Sequence, residues 1–403
     1  MKKTIAIIAS LDTKGELVSY LDCKLRLMGS NTYIIDIGAH PSSEIDADIK
    51  PAEIMAETGI VCDNLFEMQK SDMVSRLEKG IAMLVPRLFA ALKFDGVISI
   101  GGLQNTVIAC AAMRALPLGV PKVMVSTVAC GTRTFGMFVG SRDILVMPSV
   151  ADLAGLNTVT RIILSNAAAA VFGMTQTFDS SSITAKGASI GATLMGVTND
   201  AIMNVINIMK KKGHEVIGFH ATGTGGMAME ELIGKGAIDA VMDLTLHEVT
   251  SEYFGGGFSY GAINRLESAG RIGLPQVVAP GGADFIDFAA DQIPDKFTQR
   301  RYVLHNGKVA HISLLPEEAS EIGKMIAQRL NSSRGKVTVI LPMKGFSKTT
   351  SPAGPLYDPL VTGAFAKTLH MELRNNIKII DLDVGINDYE FSLIACREML
   401  ALI

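Results

Sequence analysis

The chain has 403 residues, 48% of them apolar and 19% charged, with a formal net charge of −3. That length exceeds one ordinary core and predicts two domains. The weak negative charge, the absence of any Lys/Arg block and the lack of tryptophan argue against a dedicated nucleic-acid binder.

The low charged fraction predicts that much surface is covered by a neighbouring domain or by a further subunit of a homodimer or higher homo-oligomer. Lys2-Lys3 followed by the apolar run 4–9 is too short for a signal peptide and stops at Asp12 and Lys14. No run approaches 18 uncharged apolar residues, so no membrane span is expected. Cys23, Cys62, Cys110, Cys130 and Cys396 show no Cys-x-x-Cys spacing. Four sit among apolar neighbours, as reduced thiols of a cytoplasmic protein would.

Residues 4–9 form a continuous apolar run, the mark of a parallel strand buried on both faces. The turn 10–16 follows, then a helix closed by Gly29, then a strand at 32–37. This is a right-handed βαβ unit. Asp36 ends its second strand, where a carboxylate either takes ribose hydroxyls or caps a turn. Residues 38–62 read as a polar excursion, and 71–93 as a long amphipathic helix containing Pro86. Strands at 94–100, 121–126 and 143–147 complete the half. Residues 148–174 read as a helix, and the polar stretch 175–186 as the joint between domains 1–178 and 187–403.

The second half restarts the pattern. Strands fall at 188–195, 215–219, 237–243, 275–279, 336–341 and 377–383, with helices at 199–212, 227–233, 244–252 and 316–331. Residues between 285 and 316, with Arg300, Arg301, His305 and Asn306, read as a polar segment. The alternation predicts an α/β chain of two Rossmann-like, doubly wound domains facing each other across a cleft.

In a parallel sheet the loops at the carboxyl ends of the strands share a rim. The first domain should bring together Asp12, Lys14 and Gly15 with Gly101, Gly102, Asn105 and Thr106, and with Ser126, Thr127 and Gly131. Glycines allow close backbone approach to a ligand. Lys14 can pair with a phosphate as a point charge or stand as a solvated turn lysine. Asp12 and Glu16 offer hard oxygens for a metal or a helix cap, capping being the better reading of Glu16. In the second domain the turn Thr222, Gly223, Thr224, Gly225 and Gly226 lies between a strand and a helix, a place that attracts anions. Gly281, Gly282 and Asp284 form a similar turn, and Lys344-Gly345 ends another strand. His220, His247 and Glu248 suggest acid–base or metal chemistry, although a histidine after a buried strand is more often structural and no zinc framework accompanies them. There is neither a P-loop nor a Gly-x-Ser-x-Gly elbow.

Leu11-Asp-Thr-Lys-Gly-Glu16, Gly101-Gly-x-x-x-Thr106, Gly223-x-Gly-Gly226, Asp243-Leu-Thr245 with Glu248, Val278-x-Pro-Gly281, Leu341-Pro-x-x-Gly-x-Ser347 with Asp358-Pro359, and Ile386-Asn-Asp388 run the length of the chain. Together they resemble the ATP-binding domain family named for the tobamovirus-resistance protein of tomato. The resemblance implies two Rossmann-like subdomains, ATP with Mg²⁺ as ligands, and a dimer. The chain departs from the family pattern at Thr349-Thr350 and at His247. The expectation is a nucleotide-binding protein, an enzyme acting on a small metabolite. The alternative is a non-enzymatic binding protein with nucleotide as a structural or regulatory ligand.

Overall fold

Uninterrupted apolar runs form the two parallel sheets. The structure, a computed structural model, describes residues 2–40, 45–59, 68–129, 136–179 and 187–403. The chain divides into two compact units, Met1–Ile183 and Thr184–Ile403.

The first unit runs β1 (Thr4–Ala9), α1 (Leu11–Leu27), β2 (Asn31–Asp36), α2 (Pro51–Ala56), α3 (Lys70–Ala90), β3 (Gly96–Gly101), α4 (Leu103–Ala115), β4 (Lys122–Ser126), α5 (Gly136–Val139), β5 (Leu145–Pro148) and α6 (Thr158–Thr177). Its five strands are all parallel, in the order β2-β1-β3-β4-β5. Successive side chains of a strand point to opposite faces. Ala6 and Ile8 therefore pack with α3 and α4, while Ile5, Ile7 and Ala9 pack with α1 and α6. The helix expected over 148–174 begins at Thr158 and runs into the expected joint. By length and composition α6 is long and apolar enough to cross a membrane, but it carries Arg161, and Leu164, Ala167, Ala168 and Val171 are buried in the sheet's core.

The second unit runs β6 (Ser189–Leu194), α7 (Asn199–Lys211), β7 (Glu215–His220), α8 (Thr224–Gly234), β8 (Ala240–Thr245), α9 (His247–Phe254), α10 (Ser268–Ile272), β9 (Gln276–Gly281), β10 (Phe285–Ala289), β11 (Tyr302–His305), β12 (Val309–Ser313), α11 (Pro316–Asn331), β13 (Val337–Pro342), α12 (Pro359–Glu372), β14 (Lys378–Leu382) and α13 (Tyr389–Leu400). Six strands form a parallel sheet ordered β14-β13-β9-β8-β6-β7. In both units the first strand lies between the second and the third, and the later strands extend away from the third. Both sheets are thus doubly wound α/β.

The segment expected to be polar and irregular is a correction. It holds the antiparallel sheet β10-β12-β11, in which Asp287 stands directly opposite His311. Alternation of buried Ala310 and Ile312 with half-polar positions hid these strands, since β11 is largely exposed and β12 carries a histidine at its centre.

Candidate functional sites

Reversal of strand order opens a crevice beyond the carboxyl ends of the two strands flanking the switch. In the first unit those strands are β1 and β3. A cavity of about 480 Å³ lies there, lined by Ser10, Asp12, Lys14, His40, Gly102 and Asn105 among others. Ser10 donates its hydroxyl to Asn105 Oδ1 at 2.6 Å, and Asn105 Nδ2 donates to the Ile100 carbonyl at 3.1 Å. These bonds tie the two loops together. Gly101, at φ +157°, leaves room that a side chain would take from Asn105.

The three helix starts singled out by sequence differ in what occupies them. At α1, Asp36 Oδ1 accepts from the N–H groups of Leu11 (3.0 Å) and Gly38 (2.8 Å). Asp36 is buried, which raises its pKa, and the two N–H donors oppose the shift. It serves as a cap, not as a ribose ligand lining the cavity. At α8, Glu248 Oε1 accepts from Gly223 N at 2.6 Å and Gly226 N at 3.2 Å. The anion expected in the Thr222–Gly226 turn is the chain's own carboxylate. At α4 the N-cap is Gly102, which has no side chain to cap with, and no carboxylate of the described residues accepts from the first N–H groups of the helix.

Lys14 lines the first cavity and donates Nζ to the Leu153 carbonyl at 2.7 Å. Asp12 Oδ2 accepts from the N–H groups of Ala39 and His40, each at 3.1 Å. Asp12 Oδ1 is buried and has no hydrogen-bond partner among the described residues. Gly15 is buried within α1, and Glu16 Oε2 accepts from Leu156 N at 3.2 Å. Thr106 faces inward, its hydroxyl 2.7 Å from that of Ser126 and 2.8 Å from the Gly102 carbonyl. Thr127 N donates to the Gly101 carbonyl at 3.1 Å, so it holds the loop rather than lining the cavity. Gly131, Cys62 and Cys130 lie outside the described residues.

In the second unit several expected ligand glycines have internal work instead. Side chains at Gly225, Gly226 and Gly281 would overlap the His220 carbonyl, the Glu248 carboxylate and the Leu244 carbonyl respectively. Gly282, at φ +65°, donates its N–H to the Phe346 carbonyl at 2.7 Å. Gly345, at φ +110°, packs on the Thr350 backbone. Lys344 pairs with exposed Asp383 at 2.9 Å and lines neither switch-point cavity. Asp284 is buried, its pKa pushed up to about 6 by burial, and Oδ2 accepts from Phe346 N at 3.2 Å. Thr224 is exposed at the start of α8, and Thr222 sits 3.1 Å from His220 Nδ1.

Glu248 is one arm of a buried ionic cluster that sequence reasoning missed. Fully buried Arg265 binds Asp243 through Nη2 at 2.7 and 2.6 Å, and Glu248 through Nη1. Burial alone would lower the Arg265 pKa, but Asp243, Glu248 and Glu230 outweigh it and keep the guanidinium charged. Burial raises Glu248, against Arg265 and the two glycine N–H groups. The available signal was two acids, Asp243 and Glu248, among buried apolar neighbours, which require a cation nearby.

A larger cavity, about 820 Å³, lies at the β6 end of the switch in the second unit. It is lined by Gly196, Val197, His220, Thr222, Asp287 and His311 among others. His247, fully buried, places Nδ1 at 2.7 Å from the Gly282 carbonyl and Nε2 at 3.1 Å from Asp287 Oδ1. Burial lowers its pKa, but Asp287, the Gly282 carbonyl and Glu248 outweigh that and raise it overall. The His247 cation and the Ser259 hydroxyl, which donates to Asp287 Oδ2 at 2.6 Å, overcome burial to hold Asp287 down to about 2. Among the described residues no group of three or more His, Cys, Asp or Glu is arranged to hold a metal ion.

Comparison with known proteins places these features in a family. Models described as the N-terminal and C-terminal domains of "Uncharacterised protein family (UPF0261)" match residues 3–180 and 187–403. A UPF0261 protein of Clostridium tetani is 36% identical over 406 residues, covering 99% of each chain. The ToMV resistance protein Tm-1(GCR237) of Solanum lycopersicum is 36% identical over 304 residues, 74% of this chain and 40% of that protein. Among solved structures, a UDP-N-acetylglucosamine 2-epimerase matches 69% of this chain and 79% of its own at 10% identity and a TM-score of 0.26.

Proposed function

The chain belongs to the UPF0261 family, and we propose that its first unit binds a nucleoside phosphate, ATP in particular, in the cavity between β1 and β3. The observation that carries this reading is the contrast between helix starts. Carboxylates of the chain itself accept from the first N–H groups of α1 and α8, whereas among the described residues no carboxylate does so at α4, which opens on Gly102 at the wall of a cavity that also carries Lys14. A helix start of this kind receives phosphate through backbone N–H groups and the helix dipole. Lys14 adds an ammonium whose partner is a carbonyl and not a carboxylate. Met68, Met73 and Leu103 supply an apolar wall for the rest of the ligand.

Mg²⁺ fits the same rim. It is commonly held by one or two carboxylates together with substrate phosphates. Asp12 Oδ1, buried and unpartnered among the described residues, is the oxygen that would take it. The ion would neutralise phosphate charge there. Ser10 and Asn105, bonded to each other, would hold the two loops at a fixed spacing around the ligand.

The reading is binding first, with turnover on a small metabolite as its enzymatic extension. Thermal shift of the full chain with ATP, ADP, GTP and UTP, each with and without Mg²⁺, tests it. At about 100 times Kd a ligand adds about 2.7 kcal/mol. No shift with any of the four sinks the proposal. Shift without product release from ATP leaves the non-enzymatic form of it standing.

A further inference from the structure

The second unit's cavity contains a polar group that its own surroundings do not satisfy. His311 is 2% exposed and lines the cavity, yet its Nδ1 is buried without a hydrogen-bond partner among the described residues. An unsatisfied buried polar atom costs about 1–3 kcal/mol and calls for an explanation. The ring is the third in a stack. His247 lies on Phe285 at 4.4 Å, Phe285 on His311 at 4.4 Å, and His311 on His305 at 5.0 Å, with interplanar angles of 28°, 25° and 10°. With both ring faces covered, the edge bearing the nitrogens is what His311 has left to offer a ligand.

Burial, the His247 cation and His305 hold His311 down to about 4, so the ring is neutral near pH 7. A neutral imidazole presents one donor and one acceptor. A hydroxyl is complementary to it, being itself both. A carboxylate is not, since it accepts only, and among the charged residues lining the cavity the two acids Asp287 and Asp291 outnumber the one lysine, Lys308. The remaining wall is apolar in good part, with Met195, Val197, Phe258 and Ala289. A volume of about 820 Å³ is in the range of small-molecule sites.

We infer that this cavity is a second ligand site, taking a neutral, hydroxyl-bearing molecule whose apolar face lies on the Met195–Val197 side and whose hydroxyl is read by the edge of His311. The site is separate from the nucleotide cavity of the first unit and does not depend on it. Asp287, opposite His311 in the β10–β12 pairing and fixed by Ser259 and His247, keeps the ring stack in place as a positioning residue.

The experiment uses the full chain and saturation-transfer NMR with myo-inositol, glucose and phenyl β-glucoside, against glucuronate and phenyl β-glucuronide. At least one neutral probe is expected to bind, with its carboxylate counterpart weaker by fivefold or more. His311→Phe keeps the stack and removes both nitrogens, and should reduce that binding at least tenfold. Gly196→Val is the independent variant. A Cβ there meets only His305 Nε2, at 4.0 Å, so the valine side chain enters the cavity beside the Met195–Val197 wall where the probe's apolar face would lie, and it should also weaken binding at least tenfold. Circular dichroism checks the fold of both, and Gly196→Val decides if His311→Phe does not fold. Absence of any neutral-probe signal, equal or stronger binding of the carboxylates, or binding that survives either folded variant overturns the inference.

Discussion

The carboxylate of Glu248 occupies the space that a side chain on Gly226 would need, and accepts the Gly226 N–H at 3.2 Å. The glycine-rich turn is therefore built around an internal anion. Glu248 in turn rests on Arg265, which also carries Asp243.

Loss of Arg265 should be among the most destabilising single changes in the second unit. Arg265→Ala strands two buried carboxylates, at a cost of about 3–5 kcal/mol. Gly226→Ala acts on the same cluster by steric overlap with Glu248 and Arg265. Both should lower Tm by roughly 5–15 °C in differential scanning calorimetry. A shift under about 2 °C for Arg265→Ala would contradict the cluster's structural role.

Lys14→Ala should weaken nucleotide binding roughly tenfold, the worth of one charge-assisted hydrogen bond. Calorimetric titration with ATP and Mg²⁺ measures it. Thr106→Val, which alters an inward-facing hydroxyl bonded to Ser126, should lower stability more than affinity.

Lys344→Ala should change neither Tm nor nucleotide affinity measurably. Its ammonium is half-exposed and paired with an exposed Asp383, an arrangement that contributes little in water. A loss of nucleotide affinity in this variant would move the phosphate site to the second unit.

Acid should destabilise the protein through His311. Its folded value of about 4 lies below the ordinary 6.5, so its stabilising contribution is complete above 6.5 and lost as pH falls toward 4. The loss is at most about 3 kcal/mol. Asp284 works the other way, since a folded value of about 6 makes the protein gain stability as pH falls from 6 to 3.8. Asp287, at about 2, begins to cost stability only below 3.8. His247, raised above 6.5, works in the same direction as Asp284, its contribution becoming complete as pH falls below 6.5, and it is common to wild type and variant. Urea unfolding of wild type and His311→Phe at pH 6.5 and 4.5 isolates the histidine. Wild type should lose more stability than the variant between the two, and equal losses would show that His311 is not held neutral.

The parallel strands were legible because burial on both faces leaves a run of apolar residues, as in Ile5–Ala9 and Val123–Val125. The turns that follow them were legible for the same reason, since glycine, serine and threonine cluster where such runs stop. The antiparallel sheet β10-β12-β11 was not, because it mixes exposed Tyr302, Leu304 and His305 with buried Ala310 and Ile312. At the candidate sites, residue type alone marked Lys14, Gly102 and Asn105, which do line one cavity. It could not tell an open helix start from a filled one. What fills α8 comes from 22 residues further along the chain, and what steadies it lies 17 beyond that. His311 stood as a lone histidine in an apolar run, with nothing in its own neighbourhood to separate it from an ordinary core residue.

The bond from Lys14 Nζ to the Leu153 carbonyl joins positions 139 residues apart. During synthesis at ~5–20 residues per second, the lysine therefore waits roughly 7–28 s for its partner. The β1–β3 crevice itself is framed once Gly101 has emerged. A nascent chain thus carries the crevice before Lys14 can take its partner at the rim, and the rim is complete only when the last third of the first unit has been made.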